Sequence, residues 1–140
     1  MSVYLDVNVI VALFVRDPLN ERADKAMRDL HDSLVVSNLS AAEFSSVIAR
    51  RVRTRDLRSE EARTAFANFD IWCARHARPI EIGNGDISAA IHLLRRLDLA
   101  LRTPDALHLA ITQRAGCALL TFDKLLASVA RAIGVDVIKG

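Results

Sequence analysis

Short runs of β-forming residues alternate along the chain with longer segments of helical periodicity, and this alternation limits the possible folds more than any other feature. Strands that alternate with helices favour a parallel sheet whose two faces are both covered by helices. The β-forming runs lie at residues 3–5, 34–36, 80–82, 118–120 and 135–138. We therefore predict an α/β fold of three layers, α/β/α, with a central, mainly parallel five-stranded sheet.

The segments between these strands carry apolar residues at helical spacing, with two consecutive helices before each of the second, third and fourth strands. This pattern predicts roughly seven helices. Gly116 and Gly134 each follow a helical segment and precede a strand, as helix-terminating glycines do. The predicted buried stripes are Ala62, Ala65, Phe66, Phe69, Trp72 and Cys73; Ile87, Ala90, Ile91 and Leu94; and Leu125, Leu126, Val129, Ala130 and Ile133.

The chain has 140 residues, of which 51% are hydrophobic, and this size and composition suit one domain over residues 1–140. The net charge of +2 is too small to imply nucleic acid by itself. Cys73 and Cys117 have no paired spacing and are typical of small core residues in a reducing compartment. The longest apolar run, residues 9–15, is too short to cross a bilayer. We therefore expect a cytoplasmic protein that does not enter a membrane.

Four carboxylates far apart in the sequence each lie where a predicted strand gives way to a helix: Asp6, Glu43, Asp105 and Asp123. In an α/β fold such junctions meet at one edge of the sheet. Four acidic groups placed together repel one another, and a hard divalent cation relieves that repulsion. Carboxylate oxygens suit Mg²⁺ or Mn²⁺, whereas zinc sites usually recruit His or Cys.

Each carboxylate also has a purely structural explanation. Ser40-x-x-Glu43 matches a helix capping box, Asp105 lies in the first turn of a helix, and Asp123 can cap the helix that follows it. Asp6 is harder to explain in this way, because Asn8 is the better cap candidate for the next helix. The sequence leaves open whether the acids form one site or only cap helices.

The four histidines do not form a metal-binding set, because His31, His76 and His92 are scattered over predicted helices. His108 follows Asp105 by three positions, so the two can share a helix face, but a packing role is expected for it. Asp86 is expected to be a helix cap only.

Four motifs in this order resemble the PIN domain, and in length and order most resemble VapC-type toxin ribonucleases: YLDVNVIVALF, SNLSAAEF, TPDALHLA and LLTFDK. The resemblance covers essentially the whole chain. It places Asp6, Glu43, Asp105 and Asp123 on the family's acidic positions, and Asn8 and Thr121 on polar positions that support them. It also implies that the first and fourth strands are neighbours, and that the protein forms a homodimer and binds a cognate antitoxin.

The resemblance implies a Mg²⁺- or Mn²⁺-dependent endoribonuclease that uses a metal-activated water. Asp6, Asp105 and Asp123 would bind the ion, and Glu43 would hold or orient the water. Arg102 is the best single candidate for a phosphate contact. Arg50 and Arg51, with the arginines that follow them up to residue 58, could track an RNA backbone or could be a solvated helix end. Residues 20–31 and 39–53 are expected to form a two-helix hairpin on which the antitoxin docks.

Two other classes of function remain open. An aspartate-based phosphohydrolase also carries an acid after the first strand of an α/β sheet, but Asn8 occupies the position where such enzymes usually have a second acid. A non-catalytic RNA- or partner-binding module would use the four acids only as helix caps. A phosphatase activity sensitive to vanadate or beryllofluoride would favour the first alternative. The second predicts no metal dependence and little effect of Asp6→Asn on any activity.

Overall fold

The computed structural model describes residues 1–139, which form an α/β fold with a parallel sheet and helices on both of its faces. The strands are β1 (Ser2–Leu5), β2 (Ser33–Ser37), β3 (Ala77–Ile80) and β4 (Ala118–Leu120). The helices are α1 (Val7–Phe14), α2 (Asn20–Asp29), α3 (Asn38–Arg53), α4 (Ser59–His76), α5 (Asn84–Arg95), α6 (Thr103–Ala115) and α7 (Lys124–Ala132). The predicted helix pairs before β2, β3 and β4 are confirmed.

The four strands are arranged in the order β3-β2-β1-β4, and every neighbouring pair is parallel. The sheet thus grows from β1 through β2 to β3, and the chain then returns to place β4 on the other side of β1. The implied adjacency of the first and fourth strands is confirmed. In open α/β sheets a crevice forms at such a reversal, outside the carboxyl ends of the strands.

Alternate residues of each central strand enter the two opposite cores of the sheet, as the two-residue period of a strand requires. Val3 and Leu5 pack with Phe44 of α3 and Phe69 of α4, whereas Tyr4 packs on the opposite face. That second core contains Leu109 of α6 and residues of α7. Helix α5 packs on α6 through small side chains around Ala90. Within residues 1–139 no helix has both the length and the apolar character needed to span a bilayer.

The prediction of a fifth strand at residues 135–138 is wrong, because this segment forms only an isolated bridge between Val137 and Leu119. In a strand, the backbone groups of alternate residues point to opposite neighbours. Leu120 directs its carbonyl to Asp6 on the β1 side. The backbone groups of Leu119 point away from β1. Its N–H donates to the Asp136 carbonyl, and its carbonyl accepts the N–H of Ile138. A strand of three residues therefore offers too few outward groups to hold a full partner strand.

The third strand lies three residues before its predicted position, at Ala77–Ile80 instead of 80–82. Helix α4 ends at His76, and the chain becomes extended at once, so that Ala77 pairs with Leu34. Ile82 instead donates its N–H to the Asn38 side chain, at 2.8 Å. Pro79 is tolerated because β3 is an edge strand, which bonds on one side only.

Candidate functional site

Asp6 lies directly after β1, at the reversal of the sheet order, and is only 5% exposed. Its Oδ1 accepts the N–H of Val7 at 2.8 Å, so Asp6 is the N-cap of α1. Its Oδ2 accepts the hydroxyl of Thr121 at 2.7 Å. The expectation that Asn8 caps α1 is wrong, because the cap lies two residues earlier.

Burial raises the pKa of the Asp6 carboxyl, because a charged group loses its hydration inside the protein. His108, the Thr121 hydroxyl and the Val7 amide lower this pKa in part, whereas the charge of Glu43 raises it further. The ionised form of Asp6 is thus held at an energetic disadvantage that a nearby cation would remove.

Thr121 connects the end of β1 with the segment that follows β4. Its Oγ1 accepts hydrogen bonds from the Asn8 amide at 3.2 Å and from the Asp123 backbone N–H at 3.0 Å, while it donates to Asp6. The side-chain oxygen of Asn8, Oδ1, accepts the backbone N–H of Phe122 at 3.2 Å. Asn8 and Thr121 therefore fix Asp6 and the backbone of Asp123 relative to each other.

Glu43 is bonded to His108 and does not cap its own helix. Ser37 is the N-cap of α3, where its Oγ accepts the Ser40 N–H at 2.9 Å, so the expected Ser40–Glu43 capping box is absent. Glu43 Oε1 contacts His108 Nε2, which carries a hydrogen because an ionised carboxylate can only accept. This bond joins α3 to α6 across 65 positions of sequence.

The other nitrogen of the His108 ring, Nδ1, lies 2.6 Å from the Tyr4 hydroxyl. Tyr4 in turn contacts Ser37 Oγ at 2.6 Å and Ser40 Oγ at 3.3 Å. Burial raises the pKa of Tyr4, although the two serines lower it in part, and the phenol therefore stays protonated. We call the chain Glu43, His108, Tyr4 and Ser37 the polar relay; it joins α3, whose Phe44 packs on one face of the sheet, to α6 and Tyr4 on the other face.

Sequence reasoning missed the polar relay. His108 was expected only to pack, and it is indeed buried at 2% exposure, but both of its ring nitrogens are hydrogen-bonded. The available signal was polar residues within apolar runs: Tyr4 lies inside the first strand and His108 inside the apolar part of α6. A buried polar group requires a partner, so two such residues indicate a buried contact.

Asp105 and Asp123 bond to the first turns of their own helices. Asp105 Oδ2 accepts the Arg102 N–H at 3.3 Å, and Asp123 Oδ1 accepts the N–H groups of Leu125 and Leu126 at 2.9 and 3.1 Å. Asp105 lies one helical turn before His108, on the same face of α6. Asp86 caps α5 as expected, through the Gly83 N–H, and it also pairs with Arg114.

Across residues 1–139, no three His, Cys, Asp or Glu side chains stand in an arrangement that holds a metal ion. The predicted acids therefore do not form a complete metal cage within these residues. Their donor chemistry nevertheless fits a hard divalent cation, because all four offer carboxylate oxygens. Mg²⁺ keeps several waters and takes one or two carboxylates directly, so a full protein cage is not required.

The three arginines predicted to contact RNA differ in their surroundings. Arg51 bonds to Asp17 at 2.8 Å and to the Arg16 carbonyl at 3.2 Å, so it ties α3 to the segment after α1. Arg50 and Arg102 are exposed at the ends of their elements. The expected hairpin of residues 20–31 and 39–53 is interrupted by β2, and its helices α2 and α3 each pack against α1.

Comparison with known proteins identifies a family. The model of the PIN domain matches residues 3–132. Ribonuclease VapC46 of Mycobacterium tuberculosis is 30% identical over 98% of this chain and 96% of its own length. VapC20 of the same organism, a toxin that cleaves the sarcin-ricin loop, superposes with a TM-score of 0.77 at 18% identity over 99% of each chain.

Two further solved structures share the fold. FitAcB from Neisseria gonorrhoeae has a TM-score of 0.74 at 17% identity, over 98% of this chain and 96% of its own. VapBC2 from Rickettsia felis, bound to a DNA fragment from its promoter, has a TM-score of 0.69 at 15% identity, over 99% and 98%. With the family model matching nearly the whole chain and a VapC relative matching end to end, this protein belongs to the PIN-domain family as a VapC-type member.

Proposed function

We propose that this chain, acting as one domain, is a metal-dependent endoribonuclease and the toxin of a type II toxin–antitoxin pair. The match to the PIN-domain model and the end-to-end relationship to a VapC ribonuclease support the reaction class. The observation that carries the proposal for the site is Asp6. Its carboxylate is buried at the sheet reversal, with its ionised form disfavoured by burial and by Glu43.

The four acids and the polar residues beside them would have separate roles. Asp6, Asp105 and Asp123 would hold Mg²⁺ or Mn²⁺ at the carboxyl ends of the strands. When bound, the cation supplies a water of lowered pKa and offsets negative charge on the phosphate. Glu43, oriented by His108, would accept a hydrogen bond from the attacking water. Asn8 and Thr121 would keep Asp6 aligned, since they bond to it or to its neighbours directly.

The nature of the nucleophile determines the products. If water attacks phosphorus, the ribose 2′-hydroxyl takes no part, and the products carry a 5′-phosphate and a 3′-hydroxyl. Arg102 is the proposed phosphate contact beside the site, because it is exposed immediately before the Thr103-Pro104-Asp105 motif. Arg50 remains a proposed contact further along α3, whereas the bonds of Arg51 to Asp17 and Arg16 give it a structural role first.

The proposed partners are an RNA substrate, a cognate antitoxin and a second copy of the chain. The antitoxin is supported by family relatives whose solved structures include a toxin–antitoxin complex from Klebsiella pneumoniae and VapBC complexes. An antitoxin segment that covers the strand ends would inhibit by keeping RNA away from Asp6 and Glu43.

The decisive experiment compares wild type with Asp6→Asn and with the control Asp24→Asn, which changes an exposed acid on α2. Each purified protein is incubated with RNA in Mg²⁺, in Mn²⁺ and in EDTA. We expect wild type and Asp24→Asn to cut RNA only with metal. Asp6→Asn should lose activity by about a hundred- to a thousandfold, as expected when one electrostatic contribution to a transition state is removed. Ligation-based mapping of the fragments should find 5′-phosphates.

Metal binding is measured independently from the shift of the melting temperature. Mg²⁺ or Mn²⁺ should stabilise wild type more than Asp6→Asn. Cleavage that persists in EDTA or in Asp6→Asn would reject the proposed mechanism. A wild type that leaves RNA intact under every condition would favour a non-catalytic binding module, and vanadate-sensitive release of phosphate from a phosphomonoester would favour an aspartate-based phosphohydrolase.

A further inference from the structure

A cleft of about 440 Å³ lies beside the acidic site, between α7 and the segments that flank it. We call it the α7 cleft. Lys124 and Arg131 of α7 line it together with Lys139 near the end of the described chain, and Arg22 of α2 contributes to its wall. These basic residues come from three separate parts of the sequence, and none was singled out as an RNA contact by sequence reasoning.

The charge of the α7 cleft is strongly positive. Four basic side chains line it, and the one acidic residue among its lining residues is Asp123. Within residues 1–139, Lys124, Arg131 and Lys139 form no ion pair with an acidic side chain. Their charges are therefore not neutralised by the described part of the protein, and they create a positive potential that attracts anions.

The α7 cleft is continuous with the proposed catalytic site. Thr121 and Asp123 form part of its wall, and Thr121 donates to Asp6. Phe122 lies between them and is 9% exposed, with the Arg22 guanidinium 4.4 Å from the centre of its ring. The ring is covered by protein, so the cleft offers cations and not an open aromatic surface for base stacking.

We propose that the α7 cleft binds the phosphate backbone of a single RNA strand on one side of the bond to be cut. This inference rests on the proposed function and extends it to the path of the substrate. The acidic site repels phosphates on its own, so a polyanion needs cations next to that site. Because the cleft carries charge without exposed aromatic rings, its contribution to affinity should be the same for different RNA sequences.

The test separates binding from cleavage. A fluorescently labelled single-stranded RNA is titrated with Asp6→Asn protein in EDTA, and the dissociation constant is measured by anisotropy over a range of salt concentrations. The same background then carries Lys124→Ala, Arg131→Ala and Lys139→Ala together. We expect affinity to fall on the order of tenfold or more, and the slope of log K against log salt to decrease by about 2, because three contacts to a single strand contribute about 0.7 each.

The matched control carries Arg63→Ala, Arg75→Ala and Arg95→Ala, which remove the same charge from exposed positions of α4 and α5 outside the cleft. Arg131 lies in the last turn of α7, and Arg75 and Arg95 lie in the last turns of α4 and α5. The control therefore removes two cations from helix ends and the cleft variant one, so a weaker effect of the control on RNA binding cannot come from a smaller loss of helix-end charge. We expect the control to weaken RNA binding less than threefold and to leave the salt slope unchanged. Melting temperatures equal to that of the Asp6→Asn background verify that both triple variants are folded. If the cleft triple variant unfolds, Arg131→Ala alone replaces it, and the slope of log K against log salt should then decrease by about 0.7.

Three results would overturn the inference: equal losses in the two triple variants, no loss in the cleft variant, or a poly-glutamate peptide that competes as well as RNA of the same charge. The first would show a general charge effect, and the last a site for acidic polypeptides. The cleft triple variant should lose affinity for poly-U and for poly-A to the same extent. These outcomes are separate from those of the cleavage assay, because an inactive wild type that binds RNA through the α7 cleft would refute only the nuclease.

Discussion

Asp6 and Glu43 are each held by a residue far away in the sequence, although Asp6 also caps α1, whereas the Asp105 and Asp123 side chains bond to the starts of their own helices. Asp6 contacts Thr121 across 115 positions, and Glu43 contacts His108 across 65. Unlike a helix cap, such contacts do not stabilise the helix that begins beside the residue. At the scale of single residues, Asp6 and Glu43 therefore argue most strongly for a site at the edge of the sheet.

Asp6 should make the metal-free protein less stable as the pH rises. Its pKa in the folded state is raised, chiefly by burial. Above its ordinary pKa of about 3.9, the unfolded chain therefore releases this proton before the folded protein does, and stability falls until the raised pKa is passed. We expect unfolding in EDTA from pH 4 to 8 to show that wild type loses stability relative to Asp6→Asn as the pH increases.

Saturating Mg²⁺ or Mn²⁺ should reduce this difference, because a bound cation favours the ionised carboxylate. Asp24→Asn serves as the control and should follow wild type at every pH. Parallel stability curves for wild type and Asp6→Asn would contradict the assignment of a raised pKa to Asp6.

The polar relay predicts a specific role for His108 in positioning Glu43. His108→Ala leaves both the Tyr4 hydroxyl and Glu43 without this partner, so we expect a loss of about 1–3 kcal/mol in the free energy of unfolding. Cleavage should fall through kcat more than through KM, because Glu43 would be misoriented in the reaction and not in RNA binding. His108→Gln, which can still donate to Glu43, should recover part of kcat.

The exposed His92 of α5 provides the control, and His92→Ala should leave both stability and kcat unchanged. If His108→Ala lowers stability and His108→Gln restores no activity, His108 has only a structural role.

The sequence singled out the four acids as candidates because each lies where a predicted strand gives way to a helix, and the resemblance to the PIN domain added Asn8 and Thr121. It did not reveal that Ser37 caps α3 in place of Ser40, nor that His108 bonds to Glu43. A helix cap can be recognised from residues three or four positions apart. A contact across 65 positions depends on how α3 and α6 meet, and periodicity carries no information about that.

At the scale of elements, Gly116 ends α6 and lies two residues before the start of β4. It adopts φ +66°, the left-handed conformation that closes a helix, and no atom lies within 4 Å of a Cβ added there. A substitution at this position therefore meets backbone strain without steric overlap.

Gly116→Ala should destabilise the fold by about 1 kcal/mol, because an L-residue is disfavoured in the left-handed region. Gly85→Ala is the matched control, since Gly85 lies within α5 with open space around it and no positive φ. It should be neutral or stabilising by up to about 1 kcal/mol, as Ala favours helix over Gly. Chemical denaturation of both variants measures the difference, and equal effects would contradict the strain assigned to Gly116.

The sequence predicted the number and order of the helices well, because apolar spacing and glycine terminators are local. It placed β3 three residues too late and extended a strand over 135–138. Both errors concern which backbone groups find a partner. Ala77 joins the sheet because α4 delivers it beside Leu34, and Val137 finds only Leu119 free on its side of β4.

At the scale of the whole molecule, two side chains of a predicted core stripe lie on the surface. Ile87 and Ile91 are 47% and 42% exposed, one turn apart on α5, while Ala90 and Asp86 face inward. The helix is confirmed, but the prediction that Ile87 and Ile91 are buried is wrong, because apolar spacing does not determine which face of a helix meets the rest of the chain. This exposed pair supports the proposed homodimer.

We expect light scattering to give twice the chain mass of 15.4 kDa for the wild type. Ile87→Glu with Ile91→Glu should shift the mass to that of one chain, because the charges cannot be buried at an interface. Ile71→Glu, at a 52% exposed position of α4, is the control and should leave the dimer intact. A monomeric wild type would reject the homodimer.

The position of β1 at the centre of the sheet also affects biosynthesis. Asp6 is translated more than a hundred codons before its partner Thr121. While the ribosome is still elongating, the nascent polypeptide therefore lacks the β4 neighbour that completes its crevice. A product that terminates before Thr121 would be unable to assemble the same pocket, so the surroundings of Asp6 are completed only after β4 has been made.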